Sequence, residues 1–277
     1  MLVNSEILLK DALKNGYAVA AYNINNLEWT KFILETCNLD KSPVILAVTP
    51  SAVDYFGGYK VVYSVVKALI IDLKITIPVV LHLDHASTFS ECKTAIDSGF
   101  TSVMIDASKH DLEKNIEITS EVVNYARYKN VTVEAELGSF SKGGTCTNLE
   151  DVNKFVIQTG VDSLAPAIGN YHGIYREDVN LNFELLGLIE KETKIPLVLH
   201  GASFLSDNKI KTAIFCGVCK ININTDLQKA WSDKVRSFLE YDKDVYDPRI
   251  IIKSGEDALK KRVHYNNLLI GSKNRAN

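Results

Sequence analysis

The chain has 277 residues, 46% of them hydrophobic, with 31 lysines and arginines against 34 aspartates and glutamates and a net charge of −3. That length supports one large core or two modest ones, and the weakly acidic, interspersed charge leaves no footprint for nucleic acid, so a small-molecule partner is expected. No apolar run approaches the span of about eighteen residues that a membrane helix needs, and the opening Met-Leu-Val-Asn-Ser-Glu lacks the regions of a signal peptide, so no membrane association and a cytoplasmic location are expected.

An opening helix over residues 5–14 stops at Asn15-Gly16, and from there strand, turn and helix repeat without a Gly/Ser/Pro-rich linker. Strands are expected over 17–23, 43–49, 78–84, 102–107, 132–138, 163–169, 196–200 and 220–225. Helices are expected between them, over 27–37, 60–73, 90–98, 112–129, 149–159, 182–192, 207–216 and 227–241. Three strands begin at or just after Pro43, Pro78 and Pro196, which is acceptable because a first strand residue can lack a ladder donor. Eight such units in one domain spanning 1–277 are the arithmetic of an α/β (β/α)8 TIM barrel. The alternative is a doubly wound open sheet. That fold usually carries a glycine-rich turn after an early strand, where this chain has Asn23-Ile24-Asn25-Asn26-Leu27.

Five cysteines, an odd number, argue for reduced thiols over a disulfide framework. Cys216-Gly-Val-Cys219 has no second pair to complete a zinc knuckle and reads as core or loop thiols.

The third strand starts as a β-branched apolar run, Pro78-Val79-Val80-Leu81, and turns abruptly polar at its carboxyl end, where α/β proteins place their chemistry. Three of the six histidines, His85, His172 and His200, sit at or just past the carboxyl ends of the third, sixth and seventh strands. One strand-end histidine is more often structural, but three converging imidazoles with an open fourth position match a catalytic zinc site. Asp84 points away from His85 unless the chain turns there; it is the natural general acid/base, or else a residue that orients a histidine. Asp106 and Glu136 end strands that face the same cavity and form a candidate second metal position, whereas His82 is expected to be structural. The seventh and eighth strands end in Gly201-Ala202-Ser203 and Asn222-Ile223-Asn224-Thr225, small and hydroxyl residues that suit a phosphate. Asp207 is the expected N-cap of the helix that follows the seventh strand.

These stretches resemble the class II, metal-dependent fructose-bisphosphate aldolases: His-Leu-Asp-His at 82–85, Ser-Val-Met-Ile-Asp-Ala-Ser at 102–108, Val-Glu-Ala-Glu-Leu-Gly at 133–138, Gly-Asn-Tyr-His-Gly at 169–173, Pro-Leu-Val-Leu-His-Gly at 196–201, and Lys-Ile-Asn-Ile-Asn-Thr at 220–225. The likeness continues through Tyr-Asp-Pro-Arg at 246–249. It implies a lyase that cleaves fructose 1,6-bisphosphate to dihydroxyacetone phosphate and glyceraldehyde 3-phosphate, in glycolysis and gluconeogenesis; tagatose 1,6-bisphosphate or another ketose phosphate is the alternative substrate. By resemblance His85, His172 and His200 match the zinc ligands. Asp84 matches the residue that exchanges a proton with the hydroxyl or aldehyde oxygen. Gly173, Gly201, Ser203, Asn222 and Thr225 match positions around dihydroxyacetone phosphate. The resemblance also implies Zn2+, a monovalent cation (Na+ or K+) beside the phosphate, and a homodimer or homotetramer.

Two departures stand out. Family members usually carry a long loop after the Glu-Leu-Gly strand, with an acidic Gly-Gly-x-Glu-Asp segment that supplies the base for the dihydroxyacetone carbon. Here the loop over 138–151 is shorter, Thr145 and Cys146 follow the glycines, and Glu150 and Asp151 belong to the next helix. At the phosphate loop, a glycine of the family becomes Phe204, which threatens close approach of the backbone to phosphate. The reading these departures favour is a weakened zinc- and phosphate-binding homologue; a metal-dependent hydrolase is a further alternative.

Overall fold

The computed structural model describes residues 2–138, 146–171, 173 and 179–276. Eight parallel strands close on themselves in sequence order: β1 (Val19–Asn23), β2 (Val44–Val48), β3 (Val79–Ala86), β4 (Ser102–Ile105), β5 (Thr132–Leu137), β6 (Ser163–Pro166), β7 (Leu197–Leu199) and β8 (Val218–Ile223), with β8 returning to pair with β1. Around them run α1 (Glu6–Asn15), α2 (Leu27–Leu39), α3 (Pro50–Phe56), α4 (Tyr59–Asp72), α5 (Phe89–Ser98), α6 (Leu112–Arg127), α7 (Leu149–Thr159), α8 (Phe183–Thr193), α9 (Asp207–Phe215), α10 (Thr225–Tyr241), α11 (Pro248–Lys253) and α12 (Glu256–Leu269). This is the TIM barrel that the alternation of elements predicts, and the open doubly wound sheet is excluded by closure.

Boundaries moved where side chains took over backbone partners. β6 ends at Pro166, short of the expected 169, because the Ile168 N–H is taken by the Asn170 side-chain oxygen at 3.0 Å instead of a neighbouring strand. β8 starts earlier than expected, with Val218 and Cys219 already fully buried. Asp207 is not the N-cap of α9: Ser206 occupies that position, and the Asp207 carboxylate instead accepts the Tyr265 hydroxyl at 2.6 Å. Helices α3, α11 and α12 were not anticipated. In α12 the buried positions Leu259, Val263, Asn266 and Asn267 include two amides, which hid its inner face among polar residues. The Tyr22 hydroxyl clasps that helix to β1, donating to Val263 O at 3.1 Å and Asn267 Oδ1 at 3.0 Å.

Alternation decides what faces the barrel axis. At the amino end Val19, Ala21, Ile45, Ala47, Val80 and Cys219 pack with Leu9 and Ala12 of α1, which stoppers that mouth. Higher up, the interior turns polar and buried, with His82, Ser102, Glu134 and Lys220. The outward residues of the strands join the larger apolar shell under the helices. Cys37, Cys92 and Cys219 are buried and all five cysteines are free thiols, as expected. Among the described residues no helix is long and apolar enough to cross a membrane.

The segment after β5 is pinned at both ends. Thr147 donates its hydroxyl to Leu137 O at 2.6 Å and accepts the Ala167 N–H at 2.9 Å. Gly138 sits in the gap with φ 97°, and a Cβ there meets Ala167 Cβ and Thr147 Oγ1, each at 2.6 Å. Gly138→Ala is therefore expected to destabilise the protein by about 2–4 kcal/mol, combining backbone strain with overpacking; urea unfolding measures it, and a change near zero contradicts the clash.

Candidate active site

The carboxyl end of β3 does not stay extended. Its register against β4 slips between Leu83 and Ala86, and His85 adopts φ 55°, a left-handed conformation rare for a non-glycine residue. Such a kink costs on the order of 1–3 kcal/mol and persists where surrounding structure imposes it, commonly at functional sites. Its consequence is geometric: Asp84 and His85, neighbours that an ideal strand would send to opposite faces, both line one cavity of about 380 Å³.

Asp84 is buried and held from two sides. Asn23 Nδ2, from the end of β1, donates to its Oδ2 at 3.0 Å, and Asn222 Nδ2, from β8, donates to its Oδ1 at 3.1 Å. His85 Nε2 faces His200 Nδ1 at 3.1 Å, the rings meeting edge to face with centroids 4.7 Å apart. His200 follows β7 directly, and Asn170 anchors its carbonyl at 2.9 Å. On the other flank His85 Nδ1 lies 3.5 Å from Asp106 Oδ2 and 3.9 Å from Glu136 Oε2. Ser108 bridges those two acids, its hydroxyl lying 2.7 Å from Asp106 Oδ1 and 3.1 Å from Glu136 Oε1.

The opposite rim of the cavity carries Gly173, Gly201, Ser203, Asn222, Asn224 and Thr225. Thr225 is the first residue of the long helix α10, so its turn offers backbone N–H groups to an anion. Ser203 Oγ already accepts the Asp226 N–H at 3.3 Å, which ties the loop after β7 to that helix terminus. Phe204 takes φ 67°, the conformation a glycine would supply, but its half-exposed ring is not among the cavity-lining groups. The substitution therefore strains the backbone without filling the cavity.

Charge balance within the site is sharply divided. Burial alone would lower the His85 pKa, but the carboxylates of Asp84, Asp106 and Glu136 outweigh it and raise it to about 9. Burial and the neighbouring Asp106 carboxylate push Glu136 up to about 8. Burial opposes ionisation of Asp84, yet His85, Lys220 and His200 hold its carboxyl well below the usual range. Asp106 is lowered to about 2, against its burial, by hydrogen bonds from His85 and Ser108. His200 is lowered, chiefly by burial, which keeps the imidazole neutral.

This donor set fits a divalent cation. Asp84, His85 and His200 bring ligating atoms within 4.8 Å of one another, as do His85, Asp106 and Glu136. Buried Glu136 Oε2 has no hydrogen-bond partner among the described residues, and a mixed imidazole and carboxylate set without thiolates is the composition of catalytic zinc sites. His172 lies outside the described residues. Of the other candidates, Asp84, His85, His200, Asp106, Glu136, Gly173, Gly201, Ser203, Asn222 and Thr225 all line the single cavity.

Sequence reading missed Asn23 and Thr49, which also line it, and the buried pair Glu134 and Lys220 beneath it; Asn224, within the stretch expected to suit a phosphate, lines it too. Lys220 Nζ donates to Glu134 Oε2 at 2.6 Å, and Glu134 Oε1 meets His200 Nε2 at 2.9 Å. A signal existed for Glu134: it precedes Glu136 by two residues on one strand and so shares its inward face. His82 is buried beside Ser102 in the same layer, in agreement with a structural assignment.

Over residues 3–275 the chain matches the family model described as fructose-bisphosphate aldolase class-II. A protein of Geobacillus stearothermophilus named fructose-bisphosphate aldolase is 47% identical over 270 residues, covering 95% of this chain and 94% of that one. A protein of Bacillus subtilis (strain 168) named 6-phospho-5-dehydro-2-deoxy-D-gluconate aldolase is 42% identical over 281 residues, covering 99% and 97%. Among solved structures, that of the YdjI aldolase from Escherichia coli K12 superposes with a TM-score of 0.89 at 34% identity, covering 100% of each chain.

Proposed function

This chain belongs to the class-II fructose-bisphosphate aldolase family, and from that premise we propose that it is a zinc-dependent lyase cleaving fructose 1,6-bisphosphate to dihydroxyacetone phosphate and glyceraldehyde 3-phosphate. The observation that carries this reading is the kink at His85, which brings the carboxylate of Asp84 and the facing nitrogens of His85 and His200 to one cavity. His85 and His200, with His172, would hold the ion. A dication there supplies Lewis acidity that stabilises the negative charge developing on the ketone side as the carbon–carbon bond breaks.

The chain's own residues do the rest. Asp84, ionised and aimed by Asn23 and Asn222, takes the proton from the hydroxyl on the carbon that becomes the aldehyde. The bonding electron pair goes to the ketone-side fragment. Gly173, Gly201, Ser203, Asn222 and Thr225 seat the phosphate of that fragment against the amino end of α10, with a monovalent cation, Na+ or K+, as counter-charge. Asp106 and Glu136 offer a second metal position beside His85. The reading extends to a single domain over 1–277, a homodimer or homotetramer, and glycolytic work in the cytoplasm.

The test is exhaustive chelation followed by zinc addition. Cleavage should disappear with the metal and return with it; full cleavage by protein shown to be free of metal sinks the reading. Metal uptake near neutral pH should also release about one proton, because His85, held protonated without a metal, must shed its proton to ligate. Calorimetry in buffers of different ionisation enthalpy measures the release, and release of none contradicts the assignment of His85.

The relative named 6-phospho-5-dehydro-2-deoxy-D-gluconate aldolase, nearly as similar as the first, favours a second reading with the same chemistry on a different ketose phosphate. Side-by-side kinetics on that substrate, fructose 1,6-bisphosphate and its tagatose epimer decide between them. A weakened binding homologue remains the reading from the loop and Phe204; a normal turnover rate abolished by Asp84→Ala rejects it.

A further inference from the structure

The buried pair beneath the cavity has a role that follows from hydrogen-bond direction. Glu134 Oε2 accepts from Lys220 Nζ at 2.6 Å, and Lys220 Nζ also reaches His82 Nε2 at 3.3 Å, whose other nitrogen meets Ser102 Oγ at 2.8 Å. All of Glu134, Lys220 and His82 are at most 2% exposed. Lys220 and Glu134 form a buried ion pair at 2.6 Å, in which Glu134 is the carboxylate, and a carboxylate only accepts. His200 Nε2, 2.9 Å from Glu134 Oε1, must then carry the proton. The other side of the ring agrees. Asn222 Nδ2, whose orientation is set by donation to Asp84 at 3.1 Å, lies 3.4 Å from His200 Nδ1 and can only donate to it.

We infer that Glu134, neutralised by Lys220, is a positioning residue that fixes His200 as its Nε2–H tautomer and so turns the Nδ1 lone pair toward the metal position. The inference rests on the proposed function, in which His200 is a metal ligand. A carboxylate behind a ligating histidine orients the ring and raises its basicity, and its loss typically lowers metal affinity by about 10- to 100-fold.

Glu134→Gln tests it with little change of shape. Lys220 still needs an acceptor, so the glutamine oxygen must face Lys220 and its NH2 must face His200 Nε2. The ring then has to accept at Nε2 and carry its proton on Nδ1. In 15N-histidine-labelled, metal-free protein, the wild-type His200 is expected to show Nε2–H and the variant Nδ1–H. Zinc affinity, read by competition with a chromophoric chelator, should weaken by about 10- to 100-fold in the variant. Adding Lys220→Met frees the glutamine to turn its oxygen to His200 and its NH2 to His82 Nε2, which lies 3.9 Å from Glu134 Oε2. The double variant should therefore recover both the tautomer and most of the affinity. A merely structural role predicts the reverse, with the double variant worse than the single one in stability and no inversion in either.

Wild-type His200 protonated on Nδ1, or Glu134→Gln that keeps Nε2–H and wild-type zinc affinity, overturns the inference. Unchanged zinc affinity in His200→Ala overturns the metal reading instead, while the tautomer in metal-free protein remains decided by the spectra alone.

Discussion

Asp84→Ala is expected to lower kcat for aldol cleavage by about 10²- to 10⁴-fold, the usual loss when a positioned proton acceptor is removed. The reason is the way the carboxylate is held. Asn23 and Asn222 each give it one amide N–H, and the nearby imidazoles and Lys220 keep it ionised against its burial, so it is a preformed acceptor. The deletion leaves two buried amide donors beside a cavity of about 380 Å³, where water can replace the lost oxygens, so folding should survive. Zinc content should be close to that of the wild type, because His85 and His200 keep their mutual geometry. A kcat within about tenfold of wild type, below the range of a lost base, would mean that Asp84 orients the histidines and does not carry the proton.

The second large effect concerns the carbon-bound proton of dihydroxyacetone phosphate. Its exchange with solvent is expected to be about 10²- to 10⁴-fold slower than in a relative that carries the acidic loop. Residues 139–145 contain no carboxylate at all. Glu150 and Asp151 lie in the first turn of α7, capped by Asn148, and Asp151 lines a neighbouring cavity with Cys146 and Ser108, not the one that holds Asp84. Thr147 fastens the start of that helix to Leu137 and Ala167, so the helix cannot swing its acids over the site without breaking buried hydrogen bonds. Among the described residues the carboxylates left in the cavity are Asp84, Asp106 and Glu136; Glu136, with a pKa near 8, holds its own proton at neutral pH. Replacing Thr145 by Glu and Cys146 by Asp should restore little unless the loop is also lengthened, since a base must reach the proton before its pKa matters. Exchange as fast as in the full-loop relative would refute this, and alanine at Asp106, Glu136, Glu150 and Asp151 in turn would then locate the acid responsible.

By itself the sequence determined the barrel and most of the rim. Buried parallel strands appear as apolar β-branched runs and helices as 3.6-residue periods, both signals carried by near neighbours in the chain. Strand ends of this fold all point to one face, so placing His85, His200, Asp106, Glu136 and Asn222 at those ends was enough to bring them to one cavity. The C-terminal helix α12 escaped because its inner face includes Asn266 and Asn267, whose amides find partners far away in the chain, Asp226 for Asn266 and Tyr22 and Asp40 for Asn267.

Only the tertiary structure decided how the rim residues are aimed. That Asp84 and His85 share a cavity rests on a left-handed residue and a register slip against β4, which no local residue preference announces at a histidine. Phe204 shows the converse, since the loop imposes a glycine-like φ on a residue that disfavours it. The partnership of Glu134 with Lys220 and His200 joins β5, β8 and the end of β7, residues 86 and 66 positions apart. From sequence a lysine and a glutamate read as solvated surface; closure of the barrel fixes the register that buries them together, and burial makes the direction of each hydrogen bond binding on the next.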